Sequence, residues 1–202
     1  VLEQMMAKTI LPGHGSGGKL MNEMIDTVIR KRFGAGNVQL DDSAVLTVGG
    51  SSIAFTTDTF TITPIFFPGG DIGTLAVNGT VNDLAVMGAR PLYISCALVL
   101  EEGLDFTDLE RILDSMKAEA DRAGVAIVTG DTKVVPNGKA DRIFINTSGI
   151  GIIDRKPQRG EIVPGDRIIV SGTIGDHGMA IMALRNNLSF SRGLQSDCAH
   201  LN

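Results

Sequence analysis

Apolar residues recur at helical spacing in three stretches of the chain. In the first, Leu20, Met21, Met24, Ile25, Val28, Ile29 and Phe33 share one face, and Gly34 stops the run. The second, Asp71 to Met87, has Asp71 as a plausible N-cap and Gly88 at the position just past the end. The third, Phe106 to Ala123, carries Phe106, Leu109, Ile112, Leu113, Met116 and Ala120 at intervals of three and four. Thr107 and Glu110 stand at capping-box spacing there, and Gly124 ends the segment.

Between these helices lie strand patterns. Ala44–Val48 and Ile53–Phe60 are separated by Gly49-Gly50, a turn signal that predicts a hairpin. Pro91–Leu100, Val125–Thr129 and Arg142–Ile153 are further strands, the last two flanking a polar loop with Pro136-Asn137-Gly138. Hairpins mixed with helices predict an α+β sheet with helices on one face.

From Lys156 to Gly160 the composition turns polar and turn-forming, which predicts a boundary: one domain over 1–155 and the beginning of a second α+β domain over 156–202. In the second part Arg167–Ser171 reads as a strand and His177–Leu188 as a helix. So short a stretch buries little core alone. The 202 residues are therefore expected to be a piece of a longer protein.

Composition narrows the classes. The chain is 43% hydrophobic and 20% charged, with 4% aromatics and no Trp, so its core is aliphatic. A net charge of −5 speaks against nonspecific nucleic-acid binding, which needs an excess of Lys and Arg. Cys96 and Cys198 sit in no metal-ligand spacing, and Cys96 lies in an apolar run where a reduced thiol packs as a small hydrophobe. No apolar run is long enough for a membrane span, and the expected location is the cytoplasm.

Candidate chemistry begins at Gly13-His14-Gly15-Ser16-Gly17-Gly18-Lys19, which meets the G-x-x-x-x-G-K spacing of a P-loop. Leu20 then replaces the hydroxyl residue that a P-loop uses for Mg²⁺, and only twelve residues precede the tract. Glycines still let backbone N–H groups wrap an anion closely, so the loop suits phosphate while the metal must be held elsewhere.

Carboxylates supply the other half. Asp41-Asp42 precede the first hairpin strand, Asp58 lies in Thr56-Thr57-Asp58-Thr59, and Asp131 opens the loop after the strand ending at Thr129. Asp83 sits in mid-helix among Val81, Leu84 and Ala85, where a buried carboxylate needs a partner. Any one of these aspartates also suits a cap or a turn. Together with a glycine loop they are the minimum kit for Mg²⁺ and a nucleoside triphosphate. Lys133, beside Asp131, is either a solvated lysine or a positioned cation near phosphate.

These motifs occur in one order that resembles the aminoimidazole-ribonucleotide synthetase-like superfamily: Gly13–Lys19, Asp41-Asp42-Ser43-Ala44-Val45, Thr57-Asp58-Thr59-Phe60 and Val81-Asn82-Asp83-Leu84-Ala85-Val86-Met87-Gly88-Ala89. The runs Phe66-Phe67-Pro68-Gly69-Gly70-Asp71-Ile72-Gly73, Gly130–Val135 and Gly175-Asp176-His177-Gly178 resemble the HypE family within it.

The resemblance implies a fold, a mixed sheet that dimerises through its open side, and an activity in [NiFe]-hydrogenase maturation. Family members are ATP-dependent carbamoyl dehydratases that convert a thiocarboxamide on their own carboxy-terminal cysteine into a thiocyanate, the source of the iron's cyanide ligand. The implied cofactors are ATP and Mg²⁺. The implied partners are a second copy of the chain, the HypF carbamoyltransferase and a HypC–HypD complex, with neither nucleic acid nor membrane.

By the same resemblance Asp42, Asp58 and Asp83 hold the metal, and His14, Gly15, Gly17, Gly18, Lys19, Thr59, Phe60 and Asp131 contact the nucleotide. Lys133 and Asp83 carry the chemistry, Lys133 as proton acceptor or charge stabiliser.

Departures bear on activity. Cys198 is followed by Ala-His-Leu-Asn, unlike the family's terminal cysteine, and the Asp-x-Thr-Arg-Gly-Gly segment of the second domain is missing. If these 202 residues are the whole protein, nucleotide binding is expected to persist in weakened form and dehydration is not expected. Selenophosphate synthetases would carry a Cys or selenocysteine in the glycine tract. Thiamine-monophosphate kinases and purine synthetases share the aspartates but not the Phe66–Ile72 run. A docking or dimerisation module without nucleotide chemistry is the alternative from another class.

Overall fold

The computed structural model describes residues 9–34, 41–154, 160, 162–190 and 193–202. The chain divides into two compact units, Val1–Leu40 and Asp41–Asn202.

In the first unit a 3₁₀ turn, Pro12–Gly15, leads through the rest of the glycine tract into helix α1, Lys19–Met24. A π-helical turn, Ile25–Ile29, and helix α2, Arg30–Phe33, continue the same run. Gly34 ends it with a left-handed φ of 68°, a conformation that costs glycine little. The helix spans the predicted residues, but none of them is buried.

The second unit is built on five strands: β1, Ala44–Val48; β2, Ser51–Phe60; β5, Arg90–Glu101; β6, Ala126–Val135; and β7, Ile143–Ile152. Their order is β1-β2-β7-β5-β6, antiparallel throughout except for the parallel β5–β6 pair, so the sheet is mixed. Two short strands, β3, Phe66–Phe67, and β4, Gly70–Asp71, form a separate ribbon. Gly49 and Gly50, with φ of 57° and 85°, make the β1–β2 turn that their pairing predicts.

Helices α3, Ile72–Val86, and α4, Phe106–Ala123, pack together, α3 over β2, β7 and β5 and α4 beside β6. Between them and the sheet lies the core of Ile72, Val77, Val81, Ile94, Ile112, Met116, Ile143 and Ile145. β7 alternates buried residues with partly buried or exposed ones, as a strand with one covered face must. The helix-on-one-face α+β arrangement is thus observed. Asp71 caps α3 by accepting from the Thr74 N–H at 2.9 Å, and Gly88 follows with φ 71°.

Four expectations change. The N-cap of α4 is Asp105, with no side-chain cap bond, so Thr107 and Glu110 lie inside the helix and form no capping box. Residues 130–135, expected as loop, extend β6, because β5 is long enough to pair them through Glu101–Val135. Arg167–Ser171 forms no strand: Ile168 and Ile169 are almost fully exposed, and no strand pairs with them among the described residues. Helix α5 spans Asp176–Arg185 rather than reaching Leu188, and Asn187 turns left-handed at φ 52°.

Of the boundary expected at 156–160, all but Gly160 lies outside the described residues. Downstream residues return to the body formed by 41–154. Arg185 Nε donates to the Thr63 carbonyl at 2.6 Å, and Ser196 N donates to that of Pro68 at 2.8 Å. His177 meets the Phe67 ring edge-on.

Candidate functional site

The period of a strand decides which residues of β2 share a face. Ala54, Thr56, Asp58 and Phe60 alternate with Phe55, Thr57 and Thr59. Ala54 and Thr56 are buried under α3, which puts Asp58 and Phe60 on the helix-covered side and Thr59 on the open side. Gly79 of α3 is pressed against this row: a Cβ there would stand 2.7 Å from the Phe60 ring and 4.0 Å from Asp58 Oδ2.

Asp83 comes down from the last turn of α3 onto the same place. Thr56 Oγ1 lies 2.9 Å from Asp83 Oδ2 and 2.9 Å from the Asp42 carbonyl, with one hydroxyl hydrogen for two acceptors. Ser43 Oγ donates to the Asp83 carbonyl at 2.9 Å. The three aspartates named from the sequence, Asp42, Asp58 and Asp83, therefore come together from the approach to β1, from β2 and from α3.

Burial pushes the Asp83 carboxyl up to about 6, against the opposing pull of the Thr56 hydroxyl. The negative charge of Asp58, a hydrogen bond with it, and the charge of Asp42 push in the same direction as burial. A carboxylate whose proton affinity is raised by acidic neighbours is one that a hard cation would relieve. Among the described residues no three acidic, His or Cys side chains are set to hold a metal at once. Mg²⁺ does not require that, since it keeps waters and substrate phosphates as ligands beside one or two carboxylates. The donor chemistry fits the ion.

Asp131 and Lys133 stand elsewhere on the sheet. Lys133 Nζ donates to both Asp131 oxygens, at 2.9 and 2.7 Å, and both side chains are exposed. The Lys133 ammonium holds the Asp131 carboxyl below the usual carboxylate range. The register runs Thr59–Asn146–Ala97–Asp131, so Asp131 lies in the row of Thr59 on the opposite edge strand. Three strand spacings separate them, roughly 14 Å. Within one chain Lys133 is thus neither desolvated nor beside the carboxylates.

The glycine tract belongs to the other compact unit. His14 Nδ1 lies 3.0 Å from the Leu11 N–H, so the ring folds back on its own turn. Gly17 takes φ 75°, Gly18 precedes α1 as its N-cap, and Lys19 is exposed, 3.7 Å from Glu23. Gly15 has open space where a Cβ would stand.

Two further hydroxyls belong to the site, those of Ser43 and Thr56. The period of β2 was the available signal, since it puts Thr56 on the face of Asp58. The partner of Ser43, a helix carbonyl forty positions away, left no local trace. Cys96 is half-buried with Sγ 4.0 Å from Met116 Sδ, and burial pushes its thiol up, which agrees with a packing role.

Residues 40–153 match the family described as AIR synthase related protein, N-terminal domain. The carbamoyl dehydratase HypE of Rhizobium leguminosarum bv. viciae is 49% identical over 195 residues, covering 93% of this chain and 55% of the relative. That of Escherichia coli K12 is 46% identical over 197 residues, covering 93% and 58%. The chain thus spans just over half the length of these relatives.

A solved HypE–HypF complex aligns with TM-score 0.75 at 47% identity, over 87% of this chain and 59% of that one. HypE in complex with ATP aligns with TM-score 0.71 at 50% identity, over 96% and 58%. Thiamine monophosphate kinase from Aquifex aeolicus, at TM-score 0.65 and 19% identity over 86% and 57%, shares the fold.

Proposed function

Because this chain belongs to the AIR synthase related family, as a HypE-type member, we propose that it is the amino-terminal part of an ATP-dependent carbamoyl dehydratase of [NiFe]-hydrogenase maturation. The observation that carries the reading is the meeting of Asp42 and Asp58 at Asp83, whose carboxylate feels the charge of both and lies against the Thr56 hydroxyl.

In this reading Asp42, Asp58 and Asp83 hold Mg²⁺, which neutralises triphosphate charge. Lys19 and the N–H groups of Gly15, Gly17 and Gly18 take the phosphates, with His14 beside them, while Thr59, Phe60 and Asp131 complete the nucleotide's surroundings. The reaction joins the thiocarboxamide oxygen to the γ-phosphoryl group as ADP and one N–H proton leave. Loss of phosphate and of the remaining N–H proton then leaves C≡N on sulfur. An amide-like oxygen is a poor leaving group, and phosphorylation makes it a good one.

Positioning and charge neutralisation supply most of such a catalysis. Its ion pair with Asp131 suits Lys133 to the role of a fixed positive charge near the reacting group, rather than that of a base.

Residues 1–155 serve as the ATP-binding and dimerisation domain, and 156–202 begin the second domain. A homodimer through the sheet is supported by Phe55, Ile150 and Tyr93, neighbours across β2, β7 and β5 that leave an apolar band partly exposed. HypF and a HypC–HypD complex are the partners this reading implies. A cytoplasmic location follows from the same role, and no helix among the described residues is long and apolar enough to cross a membrane.

Calorimetric titration of Mg-ATP into the protein tests the reading. Binding that needs Mg²⁺ and is lost in Asp58→Asn is expected. Absence of nucleotide heat from the wild type would leave a docking module as the better description.

A further inference from the structure

The approach to β1 is short and irregular, yet it carries Asp42, and two buried hydroxyls fasten it on either side. Ser43 is 5% exposed and Thr56 6%. The Thr56 hydroxyl holds the Asp42 carbonyl to β2, and the Ser43 hydroxyl holds the next residue to the Asp83 carbonyl on α3.

That carbonyl is one of the last four of α3, the group whose intrahelical partners run out at the C-terminal end. A side-chain donor there fills a need of the helix and at the same time ties Asp83 to the residue beside Asp42. Thr56 Oγ1 also lies 2.9 Å from the Asp83 carboxylate, so its single hydrogen is shared between that oxygen and the Asp42 carbonyl. The separation of Asp42 from Asp83 is thereby set by two hydroxyls and not by a regular element, since the β1–β2 pairing begins at Ala44.

We infer that Ser43 and Thr56 are positioning residues, a hydroxyl clamp that holds Asp42 and Asp83 at the spacing that captures a divalent cation with the nucleotide. This rests on the proposed Mg-ATP site. Neither hydroxyl needs to touch the cation: each acts through a carboxylate-bearing residue, as outer partners of metal ligands do. Pre-set spacing matters more here than in a closed metal cage, because Mg²⁺ takes few protein ligands and gains little from any one of them.

The test measures ATP affinity in the full-length protein at a series of Mg²⁺ concentrations, with melting temperature recorded in EDTA alongside. Ser43→Ala and Thr56→Val each remove a hydroxyl and little volume, while Thr56→Ser keeps the hydroxyl. The expected result is a rise in half-saturating Mg²⁺ of about tenfold for Ser43→Ala and Thr56→Val, with Thr56→Ser near wild type. A lower melting temperature in EDTA with unchanged Mg²⁺ dependence would make both hydroxyls merely structural and overturn the inference while the Mg-ATP reading stands. A wild type that binds no Mg-ATP overturns both.

Discussion

Thr80 of α3 and Thr147 of β7 place their hydroxyl oxygens 2.5 Å apart, both residues fully buried. Thr147 Oγ1 also lies 3.1 Å from the Ala76 carbonyl, so the pair forms a short polar chain under the helix that carries Asp83. A buried hydroxyl deprived of its partner loses about 1–3 kcal/mol. Thr147→Val is expected to cost that much in chemical denaturation, and the double replacement with Thr80→Val less than the sum of the two singles. Strict additivity would show that the hydroxyls do not depend on each other.

Asp83 makes stability pH-dependent in a definite direction. Its carboxyl titrates near 6 in the folded chain against 3.8 for the free group, with burial as the main cause. The native state therefore holds a proton that the unfolded chain gives up between these values, and stability falls as pH rises through that window. In metal-free buffer Asp83→Asn should exceed wild type by about 1 kcal/mol near neutrality, after discounting for its partial exposure, and lose the advantage below about pH 4. Melting curves across pH check this, and parallel profiles for the two proteins would count against a raised Asp83.

Lys133 separates chemistry from stability. Its pair with Asp131 is exposed, and exposed pairs contribute about 0–1 kcal/mol. Lys133→Ala should melt within a few degrees of wild type yet slow thiocyanate formation by roughly 100-fold or more in a single-turnover assay of the carbamoylated full-length protein. A full rate in that variant would remove Lys133 from the mechanism.

Gly73 lets α3 and α4 approach closely. A Cβ there would stand 2.5 Å from the Ile112 carbonyl oxygen and 2.8 Å from a Met116 carbon, and the carbonyl belongs to backbone that cannot swing aside. Gly73→Ala is expected to cost about 1–3 kcal/mol as overpacking. An unchanged midpoint in urea would mean that the helices separate more easily than their packing implies.

Some of this was legible in the chain itself because its causes are local. The run 106–123 is a helix over those very residues, since its apolar spacing and Gly124 act within one turn of each residue. Asp71 caps α3 by reaching three residues ahead, and Gly49-Gly50 turns a hairpin through its own φ angles. The aspartates that meet at the site were also visible as a set, in the order of their motifs.

The structure departs from the sequence pattern where a residue's state depends on a distant partner. A strand needs a neighbour to take its hydrogen bonds: 130–135 became strand because β5 runs beside it, and 167–171 did not because no strand does. Local sequence was enough for the helices, the β1–β2 turn and the charged side chains, because propensity, capping and turn chemistry act over a few residues. That Asp83 comes to rest on Thr56 while Lys133 stands across the sheet follows from strand order and register, which fix such distances and arise from pairing between residues far apart in the chain.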